Sequence, residues 1–112
     1  MQKIKLKIKM ISDSCNENNY EGIFNSDIIS YKEDKTKVEV DLNNSIITRN
    51  DEEKLLVVDY RREVIHLNLK GYDYKFDMPI ECINEEKREK FFSIKYKLED
   101  KIIEYILEYE EI

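Results

Sequence analysis

The chain contains no alanine and no tryptophan, and in 112 residues it has only two glycines, one proline, one histidine and two cysteines. Each scarcity excludes something. Alanine is the best intrinsic helix former, so a mostly helical protein without it would be unusual. So few glycines and prolines cannot supply the turns of a many-stranded protein, and the turns must fall on Asn, Asp and charged residues. Gly22 and Gly71 stand alone, so there is no glycine-rich phosphate loop. His66, Cys15 and Cys82 match no zinc spacing, and neither "ENNYEG" nor "NDEEK" has the ligand spacing of a calcium loop. No cofactor or metal is therefore expected. The N-terminal "MQKIKLKIKMI" is basic but lacks an apolar run of the seven to fifteen or so residues of a signal core, or the roughly twenty of a membrane helix. The expected location is the cytoplasm, with both cysteines as free thiols.

What is present is charge and β-forming side chains. Charged residues make up 39% and the net charge is −6. An acidic balance argues against nucleic acid or an anionic membrane as partner, because phosphate is held mainly by Lys and Arg. Hydrophobic residues still reach 41%, too many for a disordered chain. There are 16 Ile, 5 Val, 8 Tyr and 4 Phe. Such side chains lose rotamer freedom in a helix and fit a pleated surface. The length suits one domain, residues 1–112.

The order of residues agrees. In "KIKLKIKM", Ile4, Leu6, Ile8 and Met10 alternate strictly with Lys3, Lys5, Lys7 and Lys9, a period of two. The lysine row reads as a solvated face that also deters edge-to-edge pairing. "SDSCNENN" reads as a polar loop, and Tyr20 to Tyr31 as one long strand or two short ones. Glu33–Asp34–Lys35 reads as a turn, and Asn43–Asn44 as a tight turn with positive φ. Between and beyond them, "KVEVDL", "SIITR", "KLLVVDY" and "VIHLNL" read as strands. Lys70–Gly71 then turns the chain into "YDYKFDM", which places Tyr72, Tyr74, Phe76 and Met78 on one side. Pro79 marks an edge or a bulge. "NEEKREK" reads as a charged loop or short helical turn, and "FSIKYKL" as another strand.

The last segment, "KIIEYILEYEE", is ambiguous by period alone. At 3.6 residues per turn Ile102, Ile103, Ile106 and Leu107 share a face. At period two Ile103, Tyr105, Leu107 and Tyr109 do. Its Ile and Tyr content, and acidic residues where a helix C-terminus prefers cations, favour a strand. Short strands at near-regular spacing indicate an all-β antiparallel meander, closed as a barrel or folded as a sandwich.

The run "VDLNNSIITR", then Tyr60 and "RRE", then "VIHLNL", a charged loop and "FSIKYKLEDKIIEYILEYEE" resembles the YwiB-like family of small bacterial proteins of unknown function. The order of elements is similar from Ile4 to Glu111, and Thr48–Arg49 resembles a Thr–Arg or similar pair ending a central strand in that family. Asn50 stands where members often carry Gly, and Arg61–Arg62–Glu63 where they often carry a Pro–aromatic–Gly turn. The resemblance implies a calycin-like, lipocalin-like β-barrel of about eight strands with a strand at the C-terminus, and it implies no reaction.

Nothing in the chain announces catalysis, and a non-enzymatic protein is expected. His66 lies on the face opposite Ile65, Leu67 and Leu69, with no nucleophile motif around it. The tyrosines on strands could line a ligand cavity, giving apolar area and a polar tip, or could be core residues with hydroxyls at the rim. The expected ligand-binding set is Tyr60, Tyr72, Tyr74 and Tyr96, holding a small apolar or amphipathic molecule at one mouth. The alternative is a filled barrel acting as a protein-interaction or homo-oligomeric assembly module through an edge strand. Large side chains in a short chain favour a filled interior.

Overall fold

A computed structural model describes all residues, 1–112. The chain forms eleven strands: β1 (Gln2–Ile11), β2 (Cys15–Asn25), β3 (Ile28–Glu33), β4 (Thr36–Asp41), β5 (Ile46–Asn50), β6 (Lys54–Asp59), β7 (Val64–Leu69), β8 (Tyr74–Pro79), β9 (Glu81–Arg88), β10 (Phe91–Leu98) and β11 (Lys101–Glu111). The only helical piece is a single 3-10 turn, Lys70–Tyr72. No helix is long and apolar enough to cross a membrane.

All strands belong to one antiparallel sheet in the order β8-β7-β6-β5-β4-β3-β2-β1-β11-β10-β9. The terminal segment is a strand, and it pairs with the first: Leu6 lies opposite Tyr109, Ile8 opposite Leu107 and Met10 opposite Tyr105. The two ends of the sheet, β8 and β9, are consecutive in the chain and joined only by Ile80. At Pro79 the chain ends β8 and its pairing with β7, then reappears as β9 beside β10, so the sheet curls into a nearly closed barrel. Pro79 thus ends an edge strand, where its missing N–H breaks no ladder. The seam is closed by side chains and single bonds. The Ile80 amide donates to the Glu63 carbonyl at 3.0 Å, and the Cys82 thiol donates to the Tyr60 carbonyl at 2.8 Å. The Lys87 ammonium donates to the Asn43 carbonyl at 3.4 Å.

Period-two alternation builds the core. Ile4, Leu6 and Ile8 from β1, Ile29 and Tyr31 from β3, Val38 and Val40 from β4, Phe92, Ile94 and Tyr96 from β10, and Tyr105 and Leu107 from β11 are all buried. They form one continuous apolar cluster with Ile47, Val58, Tyr60, Ile65 and Ile80. The barrel centre is filled by side chains.

Several expectations are corrected. There are eleven strands rather than about eight. Within "NEEKREK", Asn84 to Arg88 belong to β9, and only Glu89 and Lys90 form a turn, into β10. A bulge opposite Lys95 and Tyr96 inserts Ile83 as an extra residue and shifts the alternation, so Cys82, Glu85 and Lys87 fall opposite Tyr96, Ile94 and Phe92. Cys15 to Asn19 are not a loop but the first part of β2, paired with β1. Of the two readings of Tyr20 to Tyr31 the two-strand one holds, with Ser26 and Asp27 turning the chain at φ of 52° and 66°, the sign pattern of a type I′ hairpin. The positive φ in the β4–β5 hairpin belongs to Ser45, at 55°, not to Asn43 or Asn44. Their amides are held instead by the Asp41 carboxylate, at 3.0 and 3.1 Å. At the β7–β8 connection the left-handed residue is Asp73, not Gly71. As the composition requires, every positive-φ position is non-glycine.

The lysine row guards no edge, because β1 sits between β2 and β11. Lys5 lies between Glu21 and Glu110, and Lys7 between Asn19 and Glu108. Lys7 pairs with Glu17 at 3.1 Å, and that hydrogen bond and charge push its ammonium pKa up. Acidic rows on both neighbours therefore cancel the basic stripe.

Candidate functional site

Arg49 and Glu33 form an ion pair at one end of the barrel. Arg49, next to last in β5, lies opposite Val38, which is fully buried, so the guanidinium enters on the inner side of the sheet. Glu33 follows Tyr31 by two residues on β3 and shares its face. The end is bounded by the turns after β1, β3, β5 and β10. The two side chains are only 27% and 21% exposed. Taking two charges out of water is costly, and the pair recovers that cost only with good partners.

Those partners include tyrosines. The Tyr31 hydroxyl donates to Glu33 Oε1 at 3.4 Å, and the hydroxyls of Tyr31 and Tyr105 are 2.7 Å apart, buried and 74 residues distant in sequence. With the Tyr31 proton directed at Glu33, Tyr105 is the donor to Tyr31. The chain of bonds then runs Tyr105 to Tyr31 to Glu33, with Arg49 on the other carboxylate oxygen. Burial raises the Tyr31 and Tyr105 pKa values well above the usual phenol range. Burial also raises Tyr96 and Tyr20, each opposed by the positive charge of Arg49. Burial alone would lower the Arg49 pKa, but its bond to Glu33 and the neighbouring Tyr31 and Tyr105 raise it overall. The guanidinium is a permanent cation.

Arg49 is not used up. A guanidinium has about five N–H donors, and a single one is engaged, by Glu33 Oε2. Leu56 on β6 lies opposite Arg49. Met10, Leu98 and Ile103, near the same ends of β1, β10 and β11, pack with it partly buried against the core. The arrangement offers open guanidinium donors and a carboxylate near partly buried apolar side chains, a setting suited to binding an amphipathic molecule.

Of the tyrosines expected at a ligand site, only Tyr96 joins this end. Tyr60 lies buried at the seam, donating its hydroxyl to the Lys95 carbonyl at 3.3 Å. Burial and the adjacent Cys82 push its pKa up to about 12. Tyr72 is 85% exposed in the 3-10 turn, not on a strand, and Tyr74 is 55% exposed at the start of β8. The four do not converge. Arg49 stood out in the sequence only as part of the Thr48–Arg49 pair, and Glu33 only as a turn residue. A Tyr-x-Glu on one strand face was the available signal for Tyr31 and Glu33.

Elsewhere the chemistry is dispersed. His66 Nδ1 lies 2.6 Å from Asp77 Oδ1 on the outer face, both exposed. It borders a small hollow of about 270 Å³ with Leu55, Val57 and Lys75. A wider one of about 700 Å³ runs along β2, β1 and β11 among Lys5, Lys7, Glu21, Glu108 and Glu110. No three His, Cys, Asp or Glu side chains are grouped to hold a metal ion. Cys15 and Cys82 are free thiols on separate strands.

Comparison with known proteins gives the fold and stops there. No family model matches the chain. No curated protein matches either. The chain is a nearly closed antiparallel β-barrel, and its fold is similar to that of a solved structure. That structure is the ywiB protein from Bacillus subtilis, similar over 99% of this chain and 92% of that one, with a TM-score of 0.51 and 13% sequence identity. The chain therefore has a YwiB-like fold.

Proposed function

We propose that this chain is a non-enzymatic, calycin-like barrel of the YwiB-like family that binds a small amphipathic molecule at the Arg49 mouth. The observation that carries the reading is the half-buried guanidinium with one engaged donor, set among phenol hydroxyls and apolar side chains. A fold stabilised by burial alone gains nothing from this arrangement, since apolar residues of similar volume often serve stability as well or better. The ligand head, an oxyanion or amide oxygen, takes the open Arg49 donors. Its apolar body covers Met10, Leu56, Leu98 and Ile103. The filled interior confines the ligand to the mouth. Tyr96 stays in the site; Tyr60 serves the seam, and Tyr72 and Tyr74 lie outside it.

Fluorescence titration with anilinonaphthalene sulfonate, an apolar anion, tests this. The expected result is saturable binding that weakens about tenfold or more in the double variant Arg49→Met/Glu33→Gln, which removes both charges together. Native mass spectrometry of the protein purified from cells should show a bound small mass. No saturation, or equal affinity in the double variant, contradicts the proposal.

A further inference from the structure

β8 is an open edge. It pairs with β7 on one side, and no strand lies along the other. Its inner-face residues Tyr74, Phe76 and Met78 lie opposite Leu69, Leu67 and Ile65, continuing the apolar face of β7 to the rim. Its outer-face residues are Lys75 and Asp77, opposite Asn68 and His66. Natural sheet edges are commonly blunted by charged side chains, Pro or short length, and β8 carries Lys75 and ends at Pro79. Here the two charges are opposite in sign, two positions apart and on one face.

That spacing is self-complementary. We infer that β8 is the contact strand for a second copy of this chain, paired antiparallel about a two-fold axis through Phe76. In that register Phe76 meets its counterpart, and Tyr74 meets Met78 of the other copy, so the apolar rows join. Lys75 meets Asp77 of the other copy, and Asp77 meets Lys75, giving two opposite-charge cross-strand pairs. Neighbouring registers fail. Centring on Lys75 or on Asp77 sets like charges face to face. A shift of half a step puts an apolar row of one copy against a charged row of the other. Pro79 and the turn at Asp73 bound the usable run, and Tyr72 and Tyr74 near its start are exposed. Such a short added pairing makes a weak, concentration-dependent dimer.

Sedimentation velocity from micromolar to millimolar concentration reads this directly, with circular dichroism confirming that each variant folds. The wild-type chain is expected to pass from monomer to dimer over that range. Asp77→Lys, which puts Lys opposite Lys at both pairs, is expected to weaken association about tenfold. The double swap Lys75→Asp/Asp77→Lys restores the pairs and is expected to restore association. A wild-type chain that stays monomeric overturns the inference. So does an Asp77→Lys variant that associates like wild type, or a double swap that fails to rescue. None of these readouts touches Arg49, so the dimer and the ligand mouth stand or fall separately.

Discussion

Gly22 faces inward on β2, between Ile4 on β1 and Tyr31 on β3. A methyl group placed there would sit 2.6 Å from the Ser30 carbonyl oxygen and 2.7 Å from a Leu6 methyl. Backbone cannot give way as a flexible side chain does, so Gly22→Ala should lower stability by about 1–3 kcal/mol. Urea denaturation should show an earlier midpoint at unchanged slope; an unmoved midpoint would mean that the strands do not approach so closely. Tyr31 and Tyr105 make a second residue-scale case. Tyr31→Phe leaves the Tyr105 hydroxyl buried without a partner, at about 1–3 kcal/mol, while Tyr105→Phe leaves Tyr31 its bond to Glu33 and should cost less. The double change removes both hydroxyls, and its cost should fall clearly below the sum of the singles. Strict additivity in the same denaturation assay would mean that the two hydroxyls do not interact.

At the scale of elements, most strands were legible because apolar and charged residues alternate over a face that is buried on one side only. β1 and β10 are the clearest. β9 was not legible, for two physical reasons. Its bulge breaks the period, and its flank lies against hairpin ends, where Arg61 meets Glu85 at 3.4 Å, instead of over the core. Half of the Arg49 mouth was equally hidden. Local pattern places Tyr31 and Glu33 on one face, but only the closing of β11 on β1 brings Tyr105 to them. The turns were legible by composition but not by residue, since Asp41 captures the Asn43 and Asn44 amides and passes the left-handed position to Ser45. Glu99, at φ 57°, turns β10 into β11 without help from glycine. Glu99→Gly relieves that strain and should raise stability by about 0.5–1 kcal/mol, read as a higher Tm in calorimetry. A lower Tm would mean that the hairpin holds the residue without strain.

At the scale of the molecule, the buried tyrosines set the alkaline limit of the fold. The pKa values of Tyr31, Tyr96 and Tyr105 are raised in the folded state, first of all by burial. Below about pH 9 both folded and unfolded chains keep these protons, and the contribution is intact. Above about pH 10 the unfolded chain releases protons that the folded chain retains, so stability falls as pH rises, by up to about 1.4 kcal/mol per pH unit for each such tyrosine. Denaturant midpoints at stepped alkaline pH should decline from there, and a flat profile would contradict the burial of these hydroxyls. Charge is balanced across the same barrel, with the β1 lysines set between glutamates on β2 and β11, so the outer face offers no continuous cationic surface. The unbalanced donors are those of Arg49 at the mouth. Proton–nitrogen correlation NMR during titration with anilinonaphthalene sulfonate addresses that mouth most directly. Saturable shifts should centre on Glu33, Arg49, Tyr96 and Tyr105 and their strand neighbours. Shifts confined to the outer face around Lys5 and Lys7, or none at all, would contradict the ligand-binding mouth.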